Sequence, residues 1–209
     1  MNKKDAVELV KILKQTYPDA TCSLDFKKPF EMVVAVMLSA QCTDERVNLT
    51  TPTLFKRCPN IEDYVNIDIK ELEDIIHPCG FYKNKAKNIK LCAKQVLENF
   101  NGVVPNNMDD LLTLAGVGRK SANVILLEVY GIANGIAVDT HAKRISNLMG
   151  LSKESDPSKI EQDLVKIFPK ETLKDINHLF VWHGRNTCIA RKPKCDICTV
   201  NKFCKFYNN

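Results

Sequence analysis

At 209 residues, with 44% hydrophobic and 26% charged side chains, the chain has a globular composition and length enough for one large domain or two lobes sharing a cleft. Its longest apolar stretch, Met32 to Ala40, is nine residues broken by Ser39, against the ~20 needed to cross a bilayer, which excludes a transmembrane helix. The net charge of +5 is modest, but residues 184–209 hold six basic side chains (Arg185, Arg191, Lys192, Lys194, Lys202, Lys205) against one acid, Asp196. Such a tail is either a solvated face or the electrostatic footprint of a phosphate-backbone binder.

In chain order, Met1-Asn2-Lys3-Lys4-Asp5 runs into an amphipathic pattern rather than an apolar signal core, so a cytosolic protein is expected. Ala6, Leu9, Val10, Leu13 and Tyr17 fall at helical spacing, and Pro18 stops that helix. Residues 30–40 and 121–130 are more evenly apolar and read as central buried helices. Ile89, Cys92, Ala93, Val96 and Phe100 mark another amphipathic helix, ended by Asn101-Gly102. Asp156-Pro157 starts a further helix whose buried face is Ile160, Leu164, Ile167 and Phe168. Only short pieces such as Ile136-Ala137-Val138 suit extended backbone, and no Asn-Gly hairpin joins two alternating runs. The expected fold class is all-α, with Gly131 to Gly135 a crossing point between lobes.

Leu111 to Ala122 reads as a helix, a glycine turn and a second helix. Gly116 and Gly118 permit positive φ and close backbone approach, and the amides opening the second helix point outward with the positive end of its dipole. That arrangement suits a phosphate oxygen, and with Arg119-Lys120 behind it the segment fits a helix-hairpin-helix DNA-binding motif. Lys120, in the first turn, conflicts with the dipole. It is either an exposed phosphate contact or an activated amine. A free lysine titrates near 10.4, and a helix N-terminus and partial burial both lower that value and supply more nucleophile. Nineteen residues on, Asp139 in Val138-Asp139-Thr140-His141 precedes a helical stretch. It is either an N-cap or a carboxylate kept charged to accept a proton and stabilise developing cationic charge.

The nine cysteines fall into two groups. Cys22, Cys42, Cys58, Cys79 and Cys92 are scattered and read as buried or neutral thiols. Cys188, Cys195, Cys198 and Cys204 have the spacing C-x6-C-x2-C-x5-C. Four thiolates without a histidine suit structural zinc or a [4Fe–4S] cluster equally well. Either would fold a poorly hydrophobic tail and present the basic side chains between the first two ligands.

The glycine hairpin ending in Lys120, the Val138-Asp139-Thr140-His141 segment and the four spaced cysteines occur in the order found in endonuclease III. The chain resembles that family of bifunctional DNA glycosylases, within the helix-hairpin-helix superfamily, over nearly its whole length. Leu38-Ser39-Ala40-Gln41-Cys42-Thr43-Asp44 looks like the family's N-terminal core segment, and Gly80-Phe81-Tyr82-Lys83-Asn84-Lys85-Ala86 like its strand-inserting loop. His183-Gly184-Arg185 is similar to the segment before its cluster.

The resemblance implies a six-helix barrel domain at 22–132, with the helix-hairpin-helix at about 108–130, and a cluster domain made of 1–21 and 133–209. It implies a [4Fe–4S] cofactor on the 188–204 loop, damaged or abasic double-stranded DNA as partner, and a monomeric enzyme. Lys120 would attack the sugar and Asp139 assist. Gln41 and Phe81 would fill the gap left by a flipped nucleotide. Gly116, Gly118, Arg119, Arg185, Arg191, Lys192 and Lys194 would bind DNA. The expected activity is removal of oxidised pyrimidines and β-elimination at abasic sites, in the cytoplasm on the nucleoid. Ala115 stands where the family commonly has proline, which would loosen the turn. Cys42 replaces a small apolar residue, and Phe81 a leucine. Mismatch glycosylases, or a non-catalytic DNA-binding or redox-sensing module, are the competing readings. Lys120 argues against an adenine glycosylase.

Overall fold

The computed structural model describes residues 1–208, and every regular element among them is a helix. No helix is long and apolar enough to cross a membrane. Two compact units divide the chain, one made of residues 1–21 and those from Gly131 onward, the other of residues 22–130. The first contributes α1 (Lys3–Thr16), capped by Asn2, whose side chain accepts from Asp5 N at 2.8 Å, and it stops before Pro18 as its sequence dictates.

The middle unit is built on α2 (Pro29–Ser39), buried continuously from Phe30 to Leu38. Glu31, though only 8% exposed, is not stranded, because its carboxylate accepts from the backbone of Lys27 and Lys28 at 2.7 and 3.1 Å. Around it come α3 (Asp44–Arg57), α4 (Ile61–Asn66), α5 (Ile69–Ile76), a single 3₁₀ turn (His77–Cys79) and α6 (Tyr82–Phe100). The unit closes with α7 (Met108–Thr113) and α8 (Arg119–Tyr130). Asn101 and Gly102 end α6 as expected, with Gly102 N donating back to Val96 O at 3.0 Å. An apolar helix of this kind needs cover on every side; α3, α6 and α8 all pack on α2. α8 departs from the expectation of a fully buried helix. It buries Ala122, Asn123, Ile125 and Leu126 and leaves its other faces partly open.

In the other unit α9 (Thr140–Met149), α10 (Pro157–Ile167), α11 (Leu173–Asn186) and a final turn, α12 (Lys205–Asn208), join α1. Asp156 caps α10 through Lys159 N at 3.0 Å, with Pro157 at its first position. Leu9, Leu13, Ile145, Ile160, Leu164 and Phe180 form the centre of one core, and Phe168 meets Phe180 edge-on at 6.1 Å. Ile136-Ala137-Val138 is buried but forms no strand. Ala137 N finds a side-chain acceptor instead, Asn177 Oδ1 at 2.6 Å.

Phe180→Ala removes a fully buried ring from that core and should cost about 3–5 kcal/mol, whereas Leu49→Ala on the surface should stay within about 0.5 kcal/mol. Urea denaturation of the two variants against the parent chain measures both.

Candidate functional site

The turn between α7 and α8 is closed by its own backbone: Leu114 N donates to Leu111 O and Val117 N to Leu114 O, at 3.2 and 3.1 Å. Gly116 has φ +78°, and a Cβ there would lie 2.5 Å from Met37 Cε and 3.1 Å from Asn88 Cβ. The conformation favours glycine, and a side chain would also have to push aside the tip of Met37 and crowd Asn88. Gly118 behaves differently from the expectation. Its φ is not in the left-handed region and a Cβ would meet nothing within 4 Å, so what it leaves is an exposed, unobstructed backbone at the start of α8. Ala115 does not loosen the turn. Its N–H, which proline would lack, donates to Gln95 Oε1 at 2.7 Å, while Gln95 Nε2 donates to Thr113 O at 3.1 Å. Gln95 of α6 thus pins the end of α7 and the start of the turn.

Arg119 and Lys120 occupy the first turn of α8 and both are exposed. The partial burial expected of Lys120 is therefore absent, because Val117 and Ala122 take the inward positions on either side of it. Gln41 and Phe81 also lie in the middle unit, each exposed and each left-handed, at φ 54° and 47°. At 63% exposure Phe81 is not a core aromatic.

Asp139 belongs to the other unit, where it is the N-cap of α9. Oδ1 accepts from Ala142 N at 2.7 Å, and Oδ2 has no protein hydrogen bond among the described residues. The capping interpretation is correct and leaves one carboxylate oxygen for other chemistry.

The four C-terminal cysteines are unpaired, half-buried and line one common pocket with Met149 and Val200. Two 3₁₀ turns, Cys195–Ile197 and Asn201–Phe203, bend the chain so that ligands from separate segments face it. Burial pushes the Cys188 and Cys198 thiols up, and neighbouring cysteines add to it. The Arg144 guanidinium pulls Cys188 back, as the Val200 N–H does Cys198. Thiols that oppose one another's ionisation in this way fit a site whose thiolates are stabilised by bound cationic metal. Zinc would draw four sulfurs to one point, with bonds of about 2.3 Å. Among the described residues no three His, Cys, Asp or Glu side chains converge on a point where a single ion could sit. Four cysteine sulfurs around one pocket, with no carboxylate in its lining, are a donor set that a [4Fe–4S] cluster takes.

Arg144, to which sequence reasoning gave no role, and His183, which it placed in the segment before the cysteines, organise this tail. Arg144 of α9 donates to Cys188 O at 2.7 and 3.0 Å and to Gly184 O at 2.9 Å, tying α9 to the first ligand. His183, 3% exposed, sits between Tyr17 Oη at 3.1 Å and Cys198 Sγ at 3.8 Å; burial, then the nearby Arg144 charge, pull its pKa down to about 4. It is a neutral packing imidazole. Gly184 is where α9 and α11 approach most closely, since a Cβ would lie 2.5 Å from His141 Nδ1. Arg185, Arg191, Lys192 and Lys194 are all exposed around the cysteine loop.

Comparison with known proteins agrees with this arrangement. Residues 34–170 match the HhH-GPD superfamily base excision DNA repair protein family, and residues 188–204 match the iron–sulfur binding domain of endonuclease III. Endonuclease III of Synechocystis sp. is 48% identical over 202 residues, covering 97% of this chain and 92% of the relative. A solved non-covalent endonuclease III–DNA complex superposes with a TM-score of 0.92 at 37% identity, over 100% of this chain and 97% of that one. A trapped endonuclease III–DNA covalent intermediate matches equally well, TM-score 0.92 at 37% identity, over 100% and 98% of the two chains.

The two hairpin glycines should respond differently to alanine. Gly116→Ala should destabilise by about 1–3 kcal/mol through strain and overpacking, and Gly118→Ala should change stability by no more than about 0.5 kcal/mol. Chemical denaturation of each variant tests this; equal costs would contradict the geometry.

Proposed function

The chain belongs to the HhH-GPD superfamily of base excision DNA repair proteins, within endonuclease III, and from that premise we propose how this DNA glycosylase cuts and what it acts on. The proposed substrates are oxidised pyrimidines in duplex DNA and abasic sites, with strand scission 3′ to the abasic sugar by β-elimination. The observation that carries the reading is Lys120 on the exposed first turn of α8, four residues past Gly116 and its left-handed backbone. The match to a trapped endonuclease III–DNA covalent intermediate supports it.

In this mechanism the amine of Lys120 attacks the anomeric carbon and the base leaves with the electron pair of the bond that breaks. Once the attached nitrogen has shed a proton, its lone pair expels O4′ from the anomeric carbon, and the sugar ring opens to a protonated Schiff base as O4′ takes up a proton. That imine acidifies the adjacent sugar hydrogen, and its removal expels the 3′ phosphate. Asp139 takes the proton that Lys120 sheds and stabilises cationic charge on the sugar, through the oxygen its helix does not use. Bound DNA would supply the burial of Lys120 that the chain itself does not.

The roles of the remaining residues follow from position. The exposed amides at Gly116 and Gly118, with Arg119, would take phosphate oxygens. Gln41 and Phe81 would enter the space left by the extruded nucleotide. Arg185, Arg191, Lys192 and Lys194 would add phosphate contacts. Cys188, Cys195, Cys198 and Cys204 would hold the [4Fe–4S] cluster, which when bound cross-links the tail that carries those cations.

Lys120→Gln should abolish borohydride trapping on abasic duplex, and Asp139→Asn should slow excision about 10²- to 10⁴-fold while Kd changes no more than about threefold. Residual trapping by Lys120→Gln, or equal losses of rate and binding in Asp139→Asn, would contradict the assignment.

A further inference from the structure

Lys85 lies on α6 and is buried, with 7% of its surface exposed. An isolated buried ammonium costs several kcal/mol, so its partners matter. Burial lowers its pKa, with the nearby Cys42 and Cys79 thiols opposing that shift. Its ammonium bonds to backbone carbonyls: Nζ donates to Leu38 O at 2.8 Å and to Cys79 O at 2.9 Å.

Both carbonyls lie where a helix ends. Leu38 is in the last turn of α2, whose final carbonyls have no partner within the helix and carry the negative end of its dipole. Cys79 closes the 3₁₀ turn before Gly80. Three residues beyond Leu38 is Gln41, and two beyond Cys79 is Phe81, both exposed and left-handed at φ 54° and 47°; the third such non-glycine residue, Asn101, ends α6. Such conformations cost about 1–3 kcal/mol and persist only where surrounding structure over-determines them. Lys85 also reaches Phe81 through the backbone, its N–H donating to Phe81 O at 3.1 Å.

We propose that Lys85 is a positioning residue whose ammonium straps the end of α2 to the turn before α6, fixing the spacing and left-handed aim of Gln41 and Phe81 for opening duplex DNA. The inference rests on the proposed role of those two residues in filling the vacated stack. The strap serves only the extrusion step. A single-stranded abasic site has no partner strand to leave and needs no such wedge.

The experiment compares borohydride trapping rates on one abasic oligonucleotide, single-stranded and in duplex. Lys85→Met, shown folded by circular dichroism and with its absorbance near 400 nm intact, should trap single strands at the parent rate and duplex about tenfold more slowly. Phe81→Ala should lower the same ratio, and the double variant should be no worse than the more affected single one, because both act on one device. Lys85→Arg, which keeps the cation and its donors, should recover most of the ratio. If Lys85→Met does not fold, Lys85→Gln, which keeps an NH₂ donor without the buried charge, replaces it. An unchanged ratio, equal loss on both substrates, or multiplying effects in the double variant would overturn the strap. Failure of the parent chain to trap even single strands would instead overturn the lysine mechanism, and the strap with it.

Discussion

The turn at Gly116 holds a left-handed backbone, φ +78°, that residues with a side chain rarely adopt, and a Cβ there would sit a tight 3.1 Å from Asn88 Cβ. That constraint lets the last turn of α7 and the first turn of α8 approach α2 and α6 closely, and everything proposed for the middle unit depends on it. Gln95 clamps the turn from α6, Val117 and Ala122 face inward, and Lys120 is left projecting from the positive end of α8. An amine carried there on a rigid element needs little reorganisation to meet a sugar; a covering ligand supplies its desolvation.

The other unit solves a different problem. Its tail is basic and poor in apolar residues, and it cannot fold on burial alone. Cys188, Cys198 and Cys204 pack at the edge of the core formed by α1, α9, α10 and α11, and a metal cluster would complete what the hydrophobic contacts begin. Arg144 makes that edge continuous with α9, the helix that Asp139 caps. One helix therefore carries the proposed catalytic carboxylate at its start and, a turn later, grips the backbone at Cys188, the first of the four spaced cysteines.

The parts of this arrangement that sequence revealed are those written locally. The α6 stop at Asn101-Gly102, the α10 start at Asp156-Pro157 and the positive φ at Gly116 each depend on neighbours a few residues apart and are found as expected, whereas Gly118 lacks the left-handed backbone. What stayed hidden shares one feature. Gln95, Lys85 and Arg144 act on backbone carbonyls, and a carbonyl has no residue-type signature. Lys85 reaches Leu38 across 47 positions and Arg144 reaches Cys188 across 44. Exposure of Lys120 was misjudged for a related reason: its place in the first turn was legible, but which of its neighbours would face inward depended on packing against other helices.

The central claim is that Lys120, among 30 lysines and arginines, is the residue that becomes covalently joined to DNA. Proteolysis of the borohydride-trapped parent complex, followed by mass spectrometry of the nucleotide-bearing peptide, tests it without altering the chain. The adduct should map to Lys120 within the peptide that follows the glycine turn. An adduct on the N-terminal amine, or on any other lysine, would contradict the account.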